Sequence, residues 1–185
     1  MTQIKIFNCI GLNSAETHKL PPFEKLYSNA MNYFVMRSTF KPMILDPFAR
    51  KCSWGIKRND LNPEFFPQYT THCMDALEFL QKEATQKTHM VLLDPPFSDR
   101  QSSEEYGTNN LYANPKYMSD LGKEIFRVLK PNGIVIKCGY NSNPPARGFD
   151  LIGLHVCQMG ASRNDILISM WKKSQKTLTE LVGLA

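Results

Sequence analysis

Asp94-Pro95-Pro96-Phe97 directly follows the apolar run Met90-Val91-Leu92-Leu93. The run reads as a buried strand, and it stops in an acid, two prolines and an aromatic ring. An acid at the carboxyl end of a parallel strand faces the crevice where open α/β sheets bind ligands. The prolines fix φ and remove two backbone donors, so Asp94 and the Pro95 carbonyl are held as acceptors in a stiff loop. Phe97 adds a flat apolar face. Two acceptors beside a ring suit an NH2 on a planar heterocycle, which is the exocyclic amine of a nucleobase.

Three further acids stand in comparable places. Met43-Ile44-Leu45 ends in Asp46, Ile56 to Asn59 ends in Asp60, and Asp75 follows a short strand over Thr70 to Cys73. Asp75 also has the position of a helix N-cap, with Leu77, Phe79 and Leu80 behind it. A helix is expected from Pro22 to Arg37, and another from Pro115 to Leu129 with Met118, Leu121, Ile125, Phe126 and Leu129 on one face. Lys130-Pro131-Asn132-Gly133 reads as a turn before the strand Ile134 to Cys138. Phe149 to Gln158 and Ile166 to Trp171 read as a closing pair of strands. Gln3 to Phe7 alternates like a short edge strand, and the tail beyond Lys172 turns weakly helical. Strands alternating with helices predict a parallel, doubly wound sheet with its acids along one edge.

At these residues the chain resembles class I S-adenosylmethionine-dependent methyltransferases. It is most similar to the amino methyltransferases with a DPPY-type motif, which include the adenine-N6 DNA enzymes. The similarity is carried by Asp46-Pro47-Phe48-Ala49, Asn59-Asp60-Leu61-Asn62-Pro63, Asp75 to Leu80 and Asp94 to Phe97. The tract from Asp46 to Gly55 and the segment from Phe97 to Tyr106 resemble small phage and bacterial DNA adenine methyltransferases. The resemblance runs over roughly residues 42–172. It implies a Rossmann-like, mostly parallel seven-stranded sheet with an antiparallel last strand, one catalytic domain over 1–185, and S-adenosylmethionine as cofactor.

The resemblance implies roles for individual residues. Asp46, Pro47, Phe48 and Ala49 would hold the methionine end of the cofactor, Asp60 and Leu61 the ribose, and Asp75 and Ala76 the adenine. Asp94 and the Pro95 carbonyl would accept the protons of the target amine, with Pro96 stiffening the loop and Phe97 stacking on a base taken out of the duplex. Arg100, Tyr140, Asn141 and Arg147, after the fourth and fifth strands, are candidates for substrate contact. Arg50 and Lys51 stand where a glycine is usual. Only nine residues separate Asp46 from Ile56, too few for a full crossover helix. The expected partner is DNA, through adenine. RNA stays open, as does a catalytically silent subunit.

Composition sets outer bounds. The chain has 185 residues, enough to bury a sizeable core. No apolar stretch approaches the roughly 18 residues of a membrane span. Met1-Thr2-Gln3-Ile4-Lys5 does not open a signal peptide, and the expected compartment is the cytoplasm. Five scattered cysteines without CxxC spacing suggest neither a disulfide framework nor a metal site, and the four histidines have no ligand spacing. A formal charge of +5 is compatible with a polyanionic partner. With no segment long enough to be a recognition domain, a homodimer or a partner subunit is compatible with the chain, and sequence readout should be weak.

Overall fold

The computed structural model describes residues 2–13, 15–36, 41–107, 114–160 and 163–174. Its strands are β1 (Gln3–Asn8), β2 (Ile44–Asp46), β3 (Lys57–Asp60), β4 (His72–Cys73), β5 (Thr88–Leu93), β6 (Leu129–Gly139), β7 (Phe149–Gln158) and β8 (Ile166–Lys173). They form one sheet in the order β1-β7-β8-β6-β5-β2-β3-β4. All neighbours are parallel except β8, which runs antiparallel to β6 and β7. The expected seven strands and antiparallel last strand are present. The alternating segment at Gln3 adds an eighth, on the edge beside β7. The tail beyond Ser174 lies outside the described residues.

Side-chain alternation along the central strands divides the core into two layers. On one face Ile44, Met90, Leu92, Ile134, Ile136 and Ile168 pack under helix α1 (Pro21–Val35), which contributes Phe23, Leu26 and Ala30. These three recur at helical spacing, and the prolines at the helix start suit its first turn, where no backbone donor is needed. On the other face Leu45, Val91, Leu93 and Val135 meet helices α2 (Ala76–Gln81) and α4 (Pro115–Val128). Asp75 caps α2, accepting from the Leu77 N–H at 2.9 Å and the Glu78 N–H at 3.2 Å. The Tyr117 hydroxyl donates to the same carboxylate at 2.8 Å and so ties the start of α2 to α4.

Two local expectations resolve in an informative way. The link from β2 to β3, residues 47–56, contains turns and no helix, as its short length requires. The turn expected at Lys130-Pro131-Asn132-Gly133 does not precede a separate strand. It is an excursion within β6: pairing with β5 steps from Thr88↔Leu129 to Met90↔Ile134, and Asn132 takes the left-handed conformation at φ 63°. The turn residues do form a turn, but the sheet keeps both of its flanks in one strand. Helix α3 (Asp99–Tyr106) begins at the Ser98 cap and ends at Gly107, in the left-handed conformation at φ 61°.

Candidate active site

β2 and β5 are adjacent and parallel at the centre of the sheet, and the order of strands reverses there. Such a switch point opens a crevice at the carboxyl ends of the strands. Asp46 follows Ile44 by two residues and Asp94 follows Leu92 by two, so both acids fall on the α1 side. Together they line a cavity of about 310 Å³ with Phe48, Ala49, Arg50, Cys52, Phe65 and the segment containing Glu16 and His18.

Asp46 is 2% exposed. Its carboxyl is pushed up from 3.8 to about 8, first by burial and then by the negative charge of Asp94, against bonds from the Cys52 thiol and the Phe48 N–H. Gly55 makes this burial possible, since a Cβ there would stand 2.8 Å from the Asp46 Cβ. Asp94 accepts a hydrogen bond from the Thr17 hydroxyl, which lies 77 residues earlier in the chain.

The turn after Asp46 keeps a glycine-like path without glycine. Arg50 adopts φ 46°, a left-handed conformation that most residues avoid. Its N–H donates to Asp60 Oδ2 at 3.0 Å, and the Asn62 N–H donates to Oδ1 at 3.0 Å. Its guanidinium reaches the Ala15 carbonyl at 3.2 Å and lies 5.9 Å from the centre of the Phe65 ring. Arg50 therefore ties the N-terminal segment across the cavity mouth.

Asp60 is buried and engaged by those two backbone donors, and Asp75 caps α2. Neither lines the cavity, and neither do Leu61 and Ala76 beside them. Buried Asn59 holds the neighbouring turns by donating to the Pro47 carbonyl at 3.1 Å and the Met74 carbonyl at 2.9 Å.

A second cavity, about 370 Å³, lies on the other side of the same loop. Pro95, Pro96 and Phe97 form one wall, and α4, Lys137, Tyr140 and Asn141 form the rest. Phe97 meets Tyr140 edge to face at 5.1 Å. Gly122 of α4 admits the facing loop, because a Cβ there would stand 2.0 Å from the Pro145 carbonyl oxygen. Arg100 and Arg147 are exposed and line neither cavity.

The site also contains residues that sequence reasoning missed. Thr17, Glu16 and His18 sit in a polar segment with no periodicity, which gives no sign of its place beside Asp94. His18, whose spacing suggests no ligand role, stands in the lining of the first cavity. Lys137 left a trace: it is the lone charge within the apolar run Ile134 to Cys138. Among the described residues no group of three or more His, Cys, Asp or Glu side chains could hold a metal ion, and no helix is long and apolar enough to cross a membrane.

The fold is that of the Rossmann-like methyltransferases. Among similar solved structures, yhhF of Escherichia coli, described as a methyltransferase, has a TM-score of 0.51 at 12% identity, over 84% of this chain and 89% of that one. TrmN of Thermus thermophilus has a TM-score of 0.51 at 15% identity, over 80% of this chain and 48% of TrmN, so the match spans about half of it. The N-methyltransferase NodS of Bradyrhizobium japonicum WM9 has a TM-score of 0.50 at 9% identity, over 85% and 99%. No protein-family pattern and no curated protein sequence matches the chain. At these identities the likeness defines the fold.

Proposed function

We propose that the protein transfers a methyl group from S-adenosylmethionine to the exocyclic N6 amino group of adenine in DNA. One observation carries this reading: the loop Asp94 to Phe97 is the partition between two cavities. Asp94 lines one that also holds Asp46, Glu16, Arg50 and Lys51, and the next three residues line one walled by prolines and the rings of Phe97 and Tyr140.

The first cavity suits the cofactor. Its volume falls within the roughly 300–1,000 Å³ usual for small-molecule sites. Asp46, Asp94 and Glu16 give it carboxyl groups for the positive ammonium and sulfonium. Burial and the neighbouring Asp94 charge hold the Asp46 carboxyl high, and a cation placed between the two acids would favour their ionised forms. When bound, the cofactor supplies an electrophilic methyl group. Asp60, by holding the Arg50 N–H, fixes the turn that forms the cavity wall.

The chain's own residues then position the acceptor. Asp94, braced by Thr17, and the Pro95 carbonyl would accept hydrogen bonds from the two amine N–H groups. This pull turns the nitrogen lone pair out of the ring plane and toward the methyl group, an effect greatest in the transition state. Phe97 offers its face to the base, and Tyr140 supports it edge-on. Arg100 and Arg147 would meet phosphates, so binding should fall steeply with salt. DNA is favoured by the segments that resemble DNA adenine enzymes.

The test is transfer of labelled methyl to matched DNA and RNA oligonucleotides containing adenine, with purine in place of adenine as the control lacking the amine. Label in adenine DNA alone is the expected result. Label in RNA alone would move the substrate to RNA, and label in neither would overturn the reading.

A further inference from the structure

Lys137 is the one charged residue among the lining of the second cavity, and the reaction described above does not use it. It is buried, at 9% exposure. An ammonium carries three protons to donate. One goes to Asn141 Oδ1 at 2.9 Å and one to the Asn143 carbonyl at 2.8 Å. Among the described residues no third acceptor meets it.

Charge pairing does not explain Lys137, because no carboxylate is among the lining of this cavity. A buried donor without a partner is costly, and more so when it is charged. Burial draws the ammonium down from 10.5 to about 8, which still leaves it mostly protonated at neutral pH. Its surroundings are fixed from several sides: Asn141 and Asn143 hold the ammonium, Pro145 seats on Gly122, and Phe97 meets Tyr140. The result is a pocket walled by Pro95, Pro96, Phe97 and Tyr140, with one fixed cationic donor in its lining. A planar heterocycle with a ring-nitrogen acceptor fits that chemistry.

We propose that Lys137 reads the target base by donating its third proton to one ring nitrogen of the adenine held against Phe97. This deepens the function proposed above and rests on it. Lys137 then selects for a base that offers an acceptor at that position, while Asp94 and Pro95 select for the amine.

The experiment uses DNA oligonucleotides carrying adenine, 1-deazaadenine, 3-deazaadenine or 7-deazaadenine at a single target position. With the intact protein, one analogue should lose about tenfold to a hundredfold in kcat/KM relative to the other three, the scale of a hydrogen bond to a charged group. In Lys137→Met that difference should vanish, and Lys137→Arg should retain part of it. Each ratio is taken within one protein, so a general loss of loop order cancels. Equal methylation of all four by the intact protein would overturn the inference even if no variant folds. So would a discrimination that persists in Lys137→Met, or a Lys137→Met loss shared equally by all four. Failure of the intact protein to methylate adenine DNA at all is a separate result: it removes the proposed function and this inference with it.

Discussion

The two cavities beside the Asp94 loop are of similar size and differ in their charged groups: acids and bases together line the first, Arg50 and Lys51 among them, and a single ammonium lines the second. The first gathers Asp46, Asp94 and Glu16, and Asp46 is held so far from water that its carboxyl keeps a proton near neutral pH. The second has one charged residue in its lining, an ammonium with a proton to spare. In the proposed reaction the first would receive a cation and the second a neutral ring with acceptors. The partition between them is four residues long. Under that proposal a short, proline-stiffened loop would hold two unlike ligands to one reacting position.

Four experiments bear on this contrast. The largest effect is expected at the shared wall. Asp94→Ala should lower methyl transfer at least about a hundredfold, the scale of one lost transition-state acceptor, while calorimetry still shows cofactor binding. Retention of more than about a tenth of the turnover would remove Asp94 from the chemistry.

Asp60→Ala acts on the first cavity alone. It frees the Arg50 N–H and so loosens the turn after Asp46. Cofactor affinity should fall by about 1.5–3 kcal/mol, the scale of a charge-assisted hydrogen bond, with thermal stability also reduced. A titration showing no change would mean that this turn does not shape the cofactor site.

Gly122→Ala is its counterpart on the second cavity. The new methyl group must displace the loop at Pro145, at about 1–3 kcal/mol of stability. Oligonucleotide KM should rise while cofactor affinity stays unchanged. If both shift together, the cavities are not independent.

The smallest effect is a proton. Asp46 is raised in the folded state, so between about pH 4 and pH 8 the folded protein binds a proton that the unfolded chain has released. Its contribution to stability is therefore fully present below pH 4 and is lost as pH rises toward 8. Denaturation of Asp46→Asn at pH 5 and pH 8 should lack this slope. A bound cation should also expel the Asp46 proton near pH 7, seen as proton release that varies with the buffer in calorimetry. No release would mean that the cation does not reach Asp46.

The loop Asp94 to Phe97 was legible because its signals are local: an apolar run, an acid, two prolines. The same holds for α2, whose cap Asp75 works as its position suggests. Arg50 was legible only as a departure from pattern. Its positive φ, which preserves the path of the turn, belongs to backbone geometry and leaves no mark on residue type. The excursion in β6 shows the limit of turn chemistry, since Lys130 to Gly133 do turn, yet pairing with β5 decides that the strand continues. The place of Thr17 was beyond reading, because an irregular polar segment carries no periodicity and its partner lies 77 residues away. Asp60 could be marked as an acid at a strand end, but not as one already engaged by two backbone donors.

The edge strand β1 has a consequence for the order in which the molecule becomes complete. Gln3 pairs with Gly153, 150 positions later. At about 5–20 residues per second of synthesis, β1 leaves the ribosome roughly 8–30 s before the strand that receives it. The Thr17 brace on Asp94 stands just beyond β1, so its seat depends on that late pairing. A nascent chain ending before Phe149 would carry every acid of the first cavity and still lack the strand that anchors the segment over it. An edge strand made before β7 thus has its partner only once β7 is made, and the wall that carries Thr17 is anchored only then.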